Sequence, residues 1–351
     1  MGDYGKIITG NTPPTKDIGN YENGTYLWAS PADLGTIKSI TTTKTKLSSK
    51  GFSKTRALPK GSILVTCIGS TIGKAGMATK EMSTNQQINS IVVNENNDNE
   101  FVYYAIQSAF PRYLSSIAVQ AVPIISKSAF ELLPNKRPCL EEQKKIGRFL
   151  SLLDERIATQ NKIIDKLQSL IKGLRVRLVQ IEKGNIVHLN EIASIYQPQT
   201  ISSTELTEDG FCVYGANGII GKYKDYNHKT EQICITCRGN TCGMVNYTKP
   251  MSWITGNAMV INTDEYQNKV CKRYLFHYLS AYNFNHIISG SGQPQIVRTP
   301  LEQLKITLPT VLEQEQKAMF LDKIQCEIEI GNRILSLYMQ QKQYLLRQMF
   351  I

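Results

Sequence analysis

Residues 141–182 read EEQKKIGRFLSLLDERIATQNKIIDKLQSLIKGLRVRLVQIE, and this stretch decides the fold. Its apolar residues recur in alternating steps of four and three, and Gln160 takes one of the expected apolar positions. The recurring residues, called the heptad seam below, are Ile146, Leu150, Leu153, Ile157, Ile164, Leu167, Ile171, Leu174, Leu178 and Ile181. The spacing predicts a continuous helix of roughly 60 Å at 1.5 Å per residue. Because so narrow a rod cannot bury its own apolar stripe, we expect a partner helix.

The end of the chain supplies that partner. A second seam, interrupted at Gly331 and Lys342, comprises Leu321, Ile324, Ile328, Leu335, Tyr338, Leu345 and Met349. Since a domain's length of sequence separates the two stretches, the chain must return, and we expect the helices to pair antiparallel.

The chain also contains an internal repeat. TCIGSTIG at 66–73 returns as TCRGNTCG at 236–243, and FVYYAI at 101–106 corresponds to YLFHYL at 274–279. Glu142-Gln143-Lys144 is matched with Glu315-Gln316-Lys317 at the start of the second helix. Four further pairs are separated by a similar distance in sequence, about 170 residues: Pro123, Ile125, Phe130 and Leu133 match Pro294, Ile296, Leu301 and Leu304.

These patterns predict an α+β protein with pseudo-two-fold internal symmetry. Two globular mixed α/β domains, residues 1–139 and 184–310, are separated by a pair of long antiparallel coiled-coil helices, residues 140–183 and 311–351. Strands are predicted within 7–15, 61–73 and 88–95, and a helix over 101–114. The strand around Ile186–His188 has no counterpart in the first copy, so we expect an unpaired sheet edge near residue 5.

Composition narrows the class of protein. The chain has 351 residues and a formal net charge of +11, which favours a polyanionic partner, nucleic acid first. No apolar run is long enough to cross a membrane, and the N-terminus does not have the pattern of a signal peptide. Eight cysteines without an export signal indicate reduced thiols in the cytoplasm.

Three sites of enzyme type were weighed against structural alternatives. The four histidines have no metal or nucleophile spacing. GSTIGK at 69–74 lacks the first glycine of a phosphate loop and has Ala75 where a Ser or Thr would hold magnesium. Cys234, Cys237 and Cys242, with Cys212 or His228, suggest a zinc site. The first copy has Leu64 and Ile72 at two of these positions, which favours buried hydrophobic residues. The hypothesis of a self-contained enzyme therefore has no set of catalytic residues to support it.

The polar residues favour DNA. From Leu34 to Lys60 there are seven basic residues and no acidic one, interleaved with Ser and Thr. Lysines bind phosphates by releasing counterions, and hydroxyls and amides contact bases or phosphates. A mobile basic surface loop is the alternative reading. The second copy is built differently here, with Tyr214-Gly215-Ala216-Asn217-Gly218 followed by Lys222. A repeated frame with two dissimilar polar insertions indicates two readers of two different sequences.

The chain resembles the DNA specificity subunits of Type I restriction-modification systems. The segments that carry the resemblance are IITGNTPPT (7–15), GSILVTCIGSTIGK (61–74), STNQQINSIV (83–92), LEEQKKIGRFLSLLDERI (140–157), YGANGIIGKY (214–223), SGQPQIV (291–297) and LEQEQKA (312–318). The resemblance implies a non-catalytic subunit with two target-recognition domains, each reading half of a bipartite double-stranded DNA target. The helices then fix the spacer and dock two modification (methyltransferase) subunits.

The resemblance also implies restriction (translocase and nuclease) subunits as partners. S-adenosylmethionine, ATP and Mg²⁺ then belong to the partner subunits, and this chain binds no cofactor or metal. The alternative is a coiled-coil adaptor without its own DNA sequence preference. Our predicted DNA-binding residues are Lys38, Lys44, Lys46, Lys50, Lys54, Arg56, Ser70, Thr71, Gln86, Gln87, Tyr214, Asn217, Lys222, Arg238, Asn240, Asn257 and Gln293.

Overall fold

A computed structural model describes residues 1–35, 37–116, 123–180, 183–290 and 292–350. Ile181 of the heptad seam, Glu182 and Ser291 lie outside the described residues. The chain divides into two compact units, which are treated separately below. Unit 1 comprises Met1–Gln160 and Ile334–Ile351, and unit 2 comprises Asn161–Arg333.

The first part of the chain forms eight strands and the first four helices. The strands are β1 Gly5–Thr9, β2 Tyr26–Ala29, β3 Ser39–Ile40, β4 Thr45–Leu47, β5 Ile63–Thr66, β6 Ala75–Ala78, β7 Ser83–Thr84 and β8 Ile88–Val93. The helices are α1 Ser49–Ser53, α2 Asn99–Ser116, α3 Lys127–Leu132 and α4 Leu140–Val179. The predicted strands and the predicted helix over 101–114 are present as β1, β5, β8 and α2.

The rest of the chain repeats much of this order. Its strands are β9 Asn185–His188, β10 Ser194–Tyr196, β11 Phe211–Gly215, β12 Gly218–Tyr223, β13 Ile233–Thr236, β14 Val245–Tyr247, β15 Trp253–Ile254, β16 Ala258–Asn262 and β17 Lys305–Leu308. Its helices are α5 Lys272–Ala281, α6 Arg298–Glu302 and α7 Val311–Met349.

In unit 1 a five-stranded sheet in the order β1-β8-β5-β6-β3 has two buried faces. Alternation along β5 sends Ile63 and Val65 toward a core shared with α2 and the start of α4. Leu64 points the other way, into a core shared with Leu27 of the smaller sheet β4-β2-β7. The buried central strand therefore reads as an unbroken apolar run, ILVT, rather than as an alternating pattern.

Unit 2 has the same frame. The sheet β10-β16-β13-β14 corresponds to β1-β8-β5-β6, and the register of Ile233 opposite Ile261 repeats that of Ile63 opposite Ile91. The parallel pair β11–β15 likewise repeats the parallel pair β2–β7. The two copies therefore share two sheets and the helix that follows them, which is the basis of the sequence repeat.

The predicted sheet edge near residue 5 requires a correction. β1 does lie at the edge of its sheet, but its counterpart β10 has the same edge position, so the extra strand does not create that edge. Instead β9 pairs antiparallel with β17, with Ile306 opposite Val187. In the described part of the first copy, the residues that correspond to β17, 134–137, form no strand. The repeat therefore differs at this segment and not at residue 5.

The long helices bury the seams that the sequence predicts. Five of the seam residues of α4 are buried, namely Ile146, Leu150, Leu153, Ile164 and Ile171. Leu178 is buried as well, and Ile157, Leu167 and Leu174 are half-buried. Within unit 1, Leu345 and Met349 of α7 pack on the core that contains Ile146 and Leu150. Further along α4, Asp154 pairs with Lys342 at 2.6 Å, so the two helices run antiparallel.

A buried glutamine fixes the start of each long helix. Gln143 is 1% exposed; its Oε1 accepts from the Asp98 amide (3.1 Å), and its Nε2 donates to the Pro138 carbonyl (3.0 Å). Gln314 is fully buried; its Oε1 accepts from the Cys271 amide (2.9 Å), and its Nε2 donates to the Pro309 carbonyl (2.9 Å). The predicted match of Gln143 with Gln316 is therefore wrong by two residues. Gln316 is exposed, and Gln314 makes the equivalent bonds.

Unit 2 contains a buried polar network between α5 and the long helices. His277 is fully buried, with Nε2 2.8 Å from Asp322 Oδ1 on α7. The Nε of Arg175 on α4 donates to His277 Nδ1 (3.0 Å), so Nδ1 carries no proton. Arg273 also holds both oxygens of Asp322. Burial lowers the pKa of His277, although the hydrogen bond to Asp322 opposes that shift.

We predict that Gln143→Leu destabilises unit 1. The substitution leaves the Asp98 amide and the Pro138 carbonyl without their side-chain partner, and each such group costs about 1–3 kcal/mol. Urea unfolding followed by circular dichroism should show the loss, and Gln314→Leu should act similarly. Gln168→Leu, at an exposed position of α4, is the control. Equal stability of Gln143→Leu and Gln168→Leu would contradict the assignment.

We also predict a pH dependence of stability that arises from His277. An unfolded imidazole takes up a proton near pH 6.5, and the folded one does so only at lower pH. His277 therefore does not reduce the free energy of unfolding well above pH 6.5. As the pH drops below 6.5, that free energy falls by at most about 1.4 kcal/mol per pH unit. His277→Gln should flatten the change in unfolding free energy between pH 7 and pH 5. His286→Gln, an exposed control, should not; parallel curves for all three proteins would refute the prediction.

Candidate nucleic-acid interface

Loop cluster 1, at one end of the unit 1 sheets, comprises residues 9–13, 54–56, 67–73, 84–87 and 123–125. Three backbone hydrogen bonds join its segments. The amide of Cys67 donates to the carbonyl of Gln87 (2.8 Å), and the amide of Gly69 donates to that of Pro123 (3.0 Å). The amide of Ile125 then donates back to the carbonyl of Cys67 (2.8 Å). Main-chain atoms therefore join segments 67–73, 84–87 and 123–125, and these bonds do not depend on which side chains the segments present. The side chain of Asn11 joins segment 9–13 to segment 54–56.

Loop cluster 2 of unit 2 comprises residues 197–200, 237–243, 255–257, 289–290 and 292–297. The same three bonds recur in it. The amide of Cys237 donates to the carbonyl of Asn257 (3.2 Å), and the amide of Gly239 donates to that of Pro294 (2.9 Å). The amide of Ile296 donates to the carbonyl of Cys237 (3.0 Å). The repeat thus preserves one loop frame at equivalent strand ends of both units.

The turn after β5 and after β13 needs glycine. Gly69 and Gly73 have φ of +96° and +88°, and the equivalent Gly239 and Gly243 have +86° and +90°. These angles lie in the left-handed region that other residues avoid. Each turn leaves one polar side chain exposed at its tip: Ser70 in unit 1, and Asn240 in the other.

The two tryptophans of the chain fasten the loop that follows β1 or β10. Trp28 Nε1 donates to the Asn11 carbonyl (3.1 Å), and Trp253 Nε1 donates to the Gln199 carbonyl (3.3 Å). Asn11 and Gln199 are equivalent in the repeat, but the tryptophans are not: Trp28 lies on β2, and Trp253 lies on β15, the counterpart of β7. One indole donor therefore reaches the same loop from opposite members of the parallel strand pair.

Two of the predicted basic residues of unit 1 are available to a ligand. Lys44 directly precedes β4, and Lys46 lies on this edge strand of its sheet. Both are exposed, and in the described part of the chain their ammonium groups have no ion pair or hydrogen bond.

The remaining basic candidates already have partners within unit 1. Lys50 and Lys54 both contact Asp17, at 2.9 and 3.1 Å, and the pKa of Asp17 is lowered by these hydrogen bonds. Arg56 donates from Nη1 to the Thr9 carbonyl (2.7 Å). Lys38 is mostly buried, 2.7 Å from Glu100. No local pattern indicates Asp17 as a common partner, since it lies 33 residues before Lys50.

The predicted amides and hydroxyls of unit 1 gather in loop cluster 1. Ser70 and Thr71 lie on its glycine turn, and Gln86 and Gln87 lie just before β8. Gln86 is exposed and accepts a hydrogen bond from Thr12. These four residues stay predicted contacts, and the structure brings them together from two separate stretches.

The unit 2 candidates divide into two groups. Arg238, Asn240, Asn257 and Gln293 are exposed in loop cluster 2. The other three lie on or beside the hairpin β11–β12. Among them Asn217 and Lys222 are exposed, and Lys222 lies 3.4 Å from Asp209; Tyr214 is buried, and its hydroxyl accepts from the Lys249 amide (3.0 Å). Tyr214 and the mostly buried Lys38 therefore already have partners within the protein.

One feature of the loop clusters was missed at the sequence level. A single antiparallel bridge pairs Ile68 with Ile124 in unit 1, and the equivalent bridge pairs Arg238 with Gln295 in unit 2. In unit 2 this bridge borders a concave pocket of about 270 Å³. Gln295 lies in the segment quoted as SGQPQIV, and comparing that segment with its counterpart, residues 120–126, is the signal that could have identified it.

The nucleotide and metal hypotheses gain no support from the described residues. Lys74 is followed by strand β6 and not by the helix that a phosphate loop requires. Cys237 Sγ donates to the Asn257 carbonyl (3.2 Å), and burial raises the pKa of the Cys234 thiol, which disfavours the thiolate that zinc binds. No group of three or more His, Cys, Asp or Glu side chains in the described ranges is placed to hold a metal ion. Nor is any helix among the described residues long and apolar enough to cross a membrane.

The repeated domain, with its shared loop frame and the long helix that follows it, matches a known family. Residues 1–169 and 182–337 each match the family model described as "Type I restriction modification DNA specificity domain", and the chain belongs to this family.

Named relatives agree with this membership. The chain is 24% identical over 344 residues to the Type I restriction enzyme EcoprrI specificity subunit of Escherichia coli, covering 90% of this chain and 84% of that protein. It is 28% identical over 311 residues to the MjaVIII specificity subunit of Methanocaldococcus jannaschii, covering 75% and 70%. The fold resembles that of the S subunit from M. genitalium, with a TM-score of 0.70 at 17% identity, covering 99% and 93%.

Proposed function

We propose that this chain is the sequence-specific DNA-binding subunit of a Type I restriction-modification complex. Loop clusters 1 and 2 each read one half of a bipartite target in double-stranded DNA. The long helices set the spacer between the halves. The chain is itself non-catalytic and acts in the cytoplasm.

The observation that carries the proposal is the constant frame with variable side chains. Three equivalent backbone bonds connect the central segments of each loop cluster, whereas the bridge residues on that frame differ: half-buried Ile68 and exposed Ile124 in one, exposed Arg238 and Gln295 in the other. A surface kept only for stability has no need of such a difference. Two readers of unlike half-sites do need it, because sequence is read by side chains at base edges.

Charge supports a phosphate partner beside loop cluster 1. Lys44, just before the edge strand β4, and Lys46, on it, present two ammonium groups that have no ion pair among the described residues, and Lys50 and Lys54 share the single carboxylate of Asp17. Lysines placed this way neutralise phosphates and release counterions, which provides affinity without base selection. The overall charge of +11 acts in the same direction.

The long helices support the docking of modification subunits. Phe149 of α4 and Phe320 of α7 occupy equivalent positions in the repeat, and 47% and 56% of their surfaces are exposed. Leu152 and Met319 beside them are similarly exposed. The two exposed phenylalanines, each beside a further exposed apolar residue, fit two copies of one partner. S-adenosylmethionine belongs to those partners in this proposal, and ATP and Mg²⁺ belong to restriction subunits. The same exposed apolar residues would also serve a pure adaptor without DNA sequence preference, which is the alternative function.

Selection from randomised DNA separates the two functions. The full chain, alone and with its methyltransferase partner, is incubated with duplexes of random sequence, and the bound fraction is sequenced. A specificity subunit should enrich a split motif with an undefined spacer. An adaptor should enrich none in either case, and that result would reject the proposed function.

We predict that Lys44→Ala combined with Lys46→Ala weakens DNA binding. Each lost phosphate contact should reduce the slope of log Kd against log salt by about 0.9. Fluorescence anisotropy titrations at several salt concentrations measure both quantities. Base preference should stay unchanged, because phosphate contacts carry no sequence information.

The matched control is Lys60→Ala combined with Lys80→Ala. These exposed lysines lie at the opposite end of β5 and β6, where the Gly61 amide donates to the Ala78 carbonyl (2.8 Å). The change in net charge is the same, so only a local contact distinguishes the two variants. If the two double variants have equal DNA affinities and equal salt slopes, Lys44 and Lys46 do not contact the DNA.

A further inference from the structure

The isolated bridges of the two loop clusters occupy equivalent positions, but their side chains are aliphatic in unit 1 and polar in unit 2. Ile68 follows Cys67 in unit 1 just as Arg238 follows Cys237 in unit 2. Their bridge partners, Ile124 and Gln295, each follow the proline whose carbonyl accepts from the glycine turn. Backbone pairing therefore fixes both side chains of each bridge at the same place on the frame.

The bridge side chains are not needed to hold the frame. Arg238 and Gln295 are exposed, and neither side chain makes a hydrogen bond or ion pair within the described residues. Ile124 is 53% exposed, so about half of its apolar surface is open to a ligand. Ile68 is half-buried beside it, so in unit 1 Ile124 and the open side of Ile68 are available to a ligand, and in unit 2 both bridge side chains are.

The polar side chains that surround the unit 2 bridge do not hydrogen-bond to Arg238 or Gln295. In the adjoining pocket, Gln197 donates to the Gly256 carbonyl (2.6 Å), and Arg298 is paired with Glu302 (2.7 Å). Both are occupied within the protein. The guanidinium of Arg238 and the amide of Gln295 remain side by side, with their donors and acceptors unused in the described part of the chain.

The chemistry of each pair matches a base edge. A guanidinium binds O6 and N7 of guanine with two hydrogen bonds, and a glutamine amide binds N6 and N7 of adenine in the same way. Isoleucine offers neither donor nor acceptor, but it packs against the 5-methyl group of thymine. One frame position can thus select a purine in one unit and thymine in the other.

We propose that the bridge residues are specificity-determining: Arg238 and Gln295 select purines in the half-site read by unit 2, and Ile68 and Ile124 select thymine in the half-site read by unit 1. This assignment rests on the proposed DNA-reading function. It adds which side chains distinguish the two half-sites.

The test exchanges the pairs between the units. Arg238→Ile with Gln295→Ile is made in the full chain, Ile68→Arg with Ile124→Gln is made separately, and each is compared with the unchanged protein by selection from randomised duplexes with the methyltransferase partner present. Preference at one or two base pairs of a single half-site should change by roughly 5- to 150-fold, and the other half-site should be unaffected. Lys229→Ile, at the end of β13 away from loop cluster 2, should change no base preference.

Arg238→Lys distinguishes base contact from phosphate contact. Lysine keeps the charge but loses the planar two-donor fork. A base contact predicts altered preference with a nearly unchanged salt slope; unaltered preference would show that Arg238 binds phosphate and would overturn the assignment. This variant also decides the matter if the double isoleucine variant no longer binds or, by thermal melting, no longer folds.

The outcomes separate the two proposals. A wild-type chain with no base preference would reject the DNA-reading function itself. A wild-type chain with a split motif, together with exchanged variants that keep that motif, would reject only the role of the bridge residues.

Discussion

The apolar seam of the long helices is the constraint on which the rest of the structure depends. A 40-residue helix with one apolar stripe is stable in water only when another surface covers that stripe. In unit 1 the cover comes from the last turns of α7, where Leu345, Leu346 and Met349 pack on the core around Leu150. The ring of Phe350 extends this packing to Phe101, with 5.3 Å between ring centroids. Unit 1 therefore consists of residues from both ends of the sequence.

The buried glutamines and the polar networks attach the domains to the long helices through hydrogen bonds, which require a defined orientation. Gln143 and Gln314 have one accepting and one donating contact each, so both the helix start and the preceding proline segment are held in one geometry. Next to them the two units diverge: Tyr104 donates to Asp154 in unit 1 (2.6 Å), whereas His277 contacts Asp322 in unit 2 (2.8 Å). The apolar seam stabilises the helix pair, and these bonds fix each long helix relative to the domain that precedes it.

Much of this organisation follows from the sequence because it depends on periodicity and repetition. The seam, the repeated TCIGSTIG and TCRGNTCG turns, and the apolar run of β5 each leave a local pattern. Contacts between distant positions leave none. Asp17 pairs with both Lys50 and Lys54, and Lys38 pairs with Glu100, although all three lysines look alike in a basic stretch. The choice between Gln314 and Gln316 depends on which faces the core, and a comparison that matches letters favours the wrong one.

The placement of Trp28 and Trp253 has a practical consequence. Each unit contains a single tryptophan, and its indole is bonded to the backbone of the loop that opens the adjacent loop cluster. The intrinsic fluorescence of the chain is thus the sum of two reporters, one at each cluster. Removing either indole leaves a protein whose emission describes one reader alone, so the occupation of two half-sites can be followed separately without an added label.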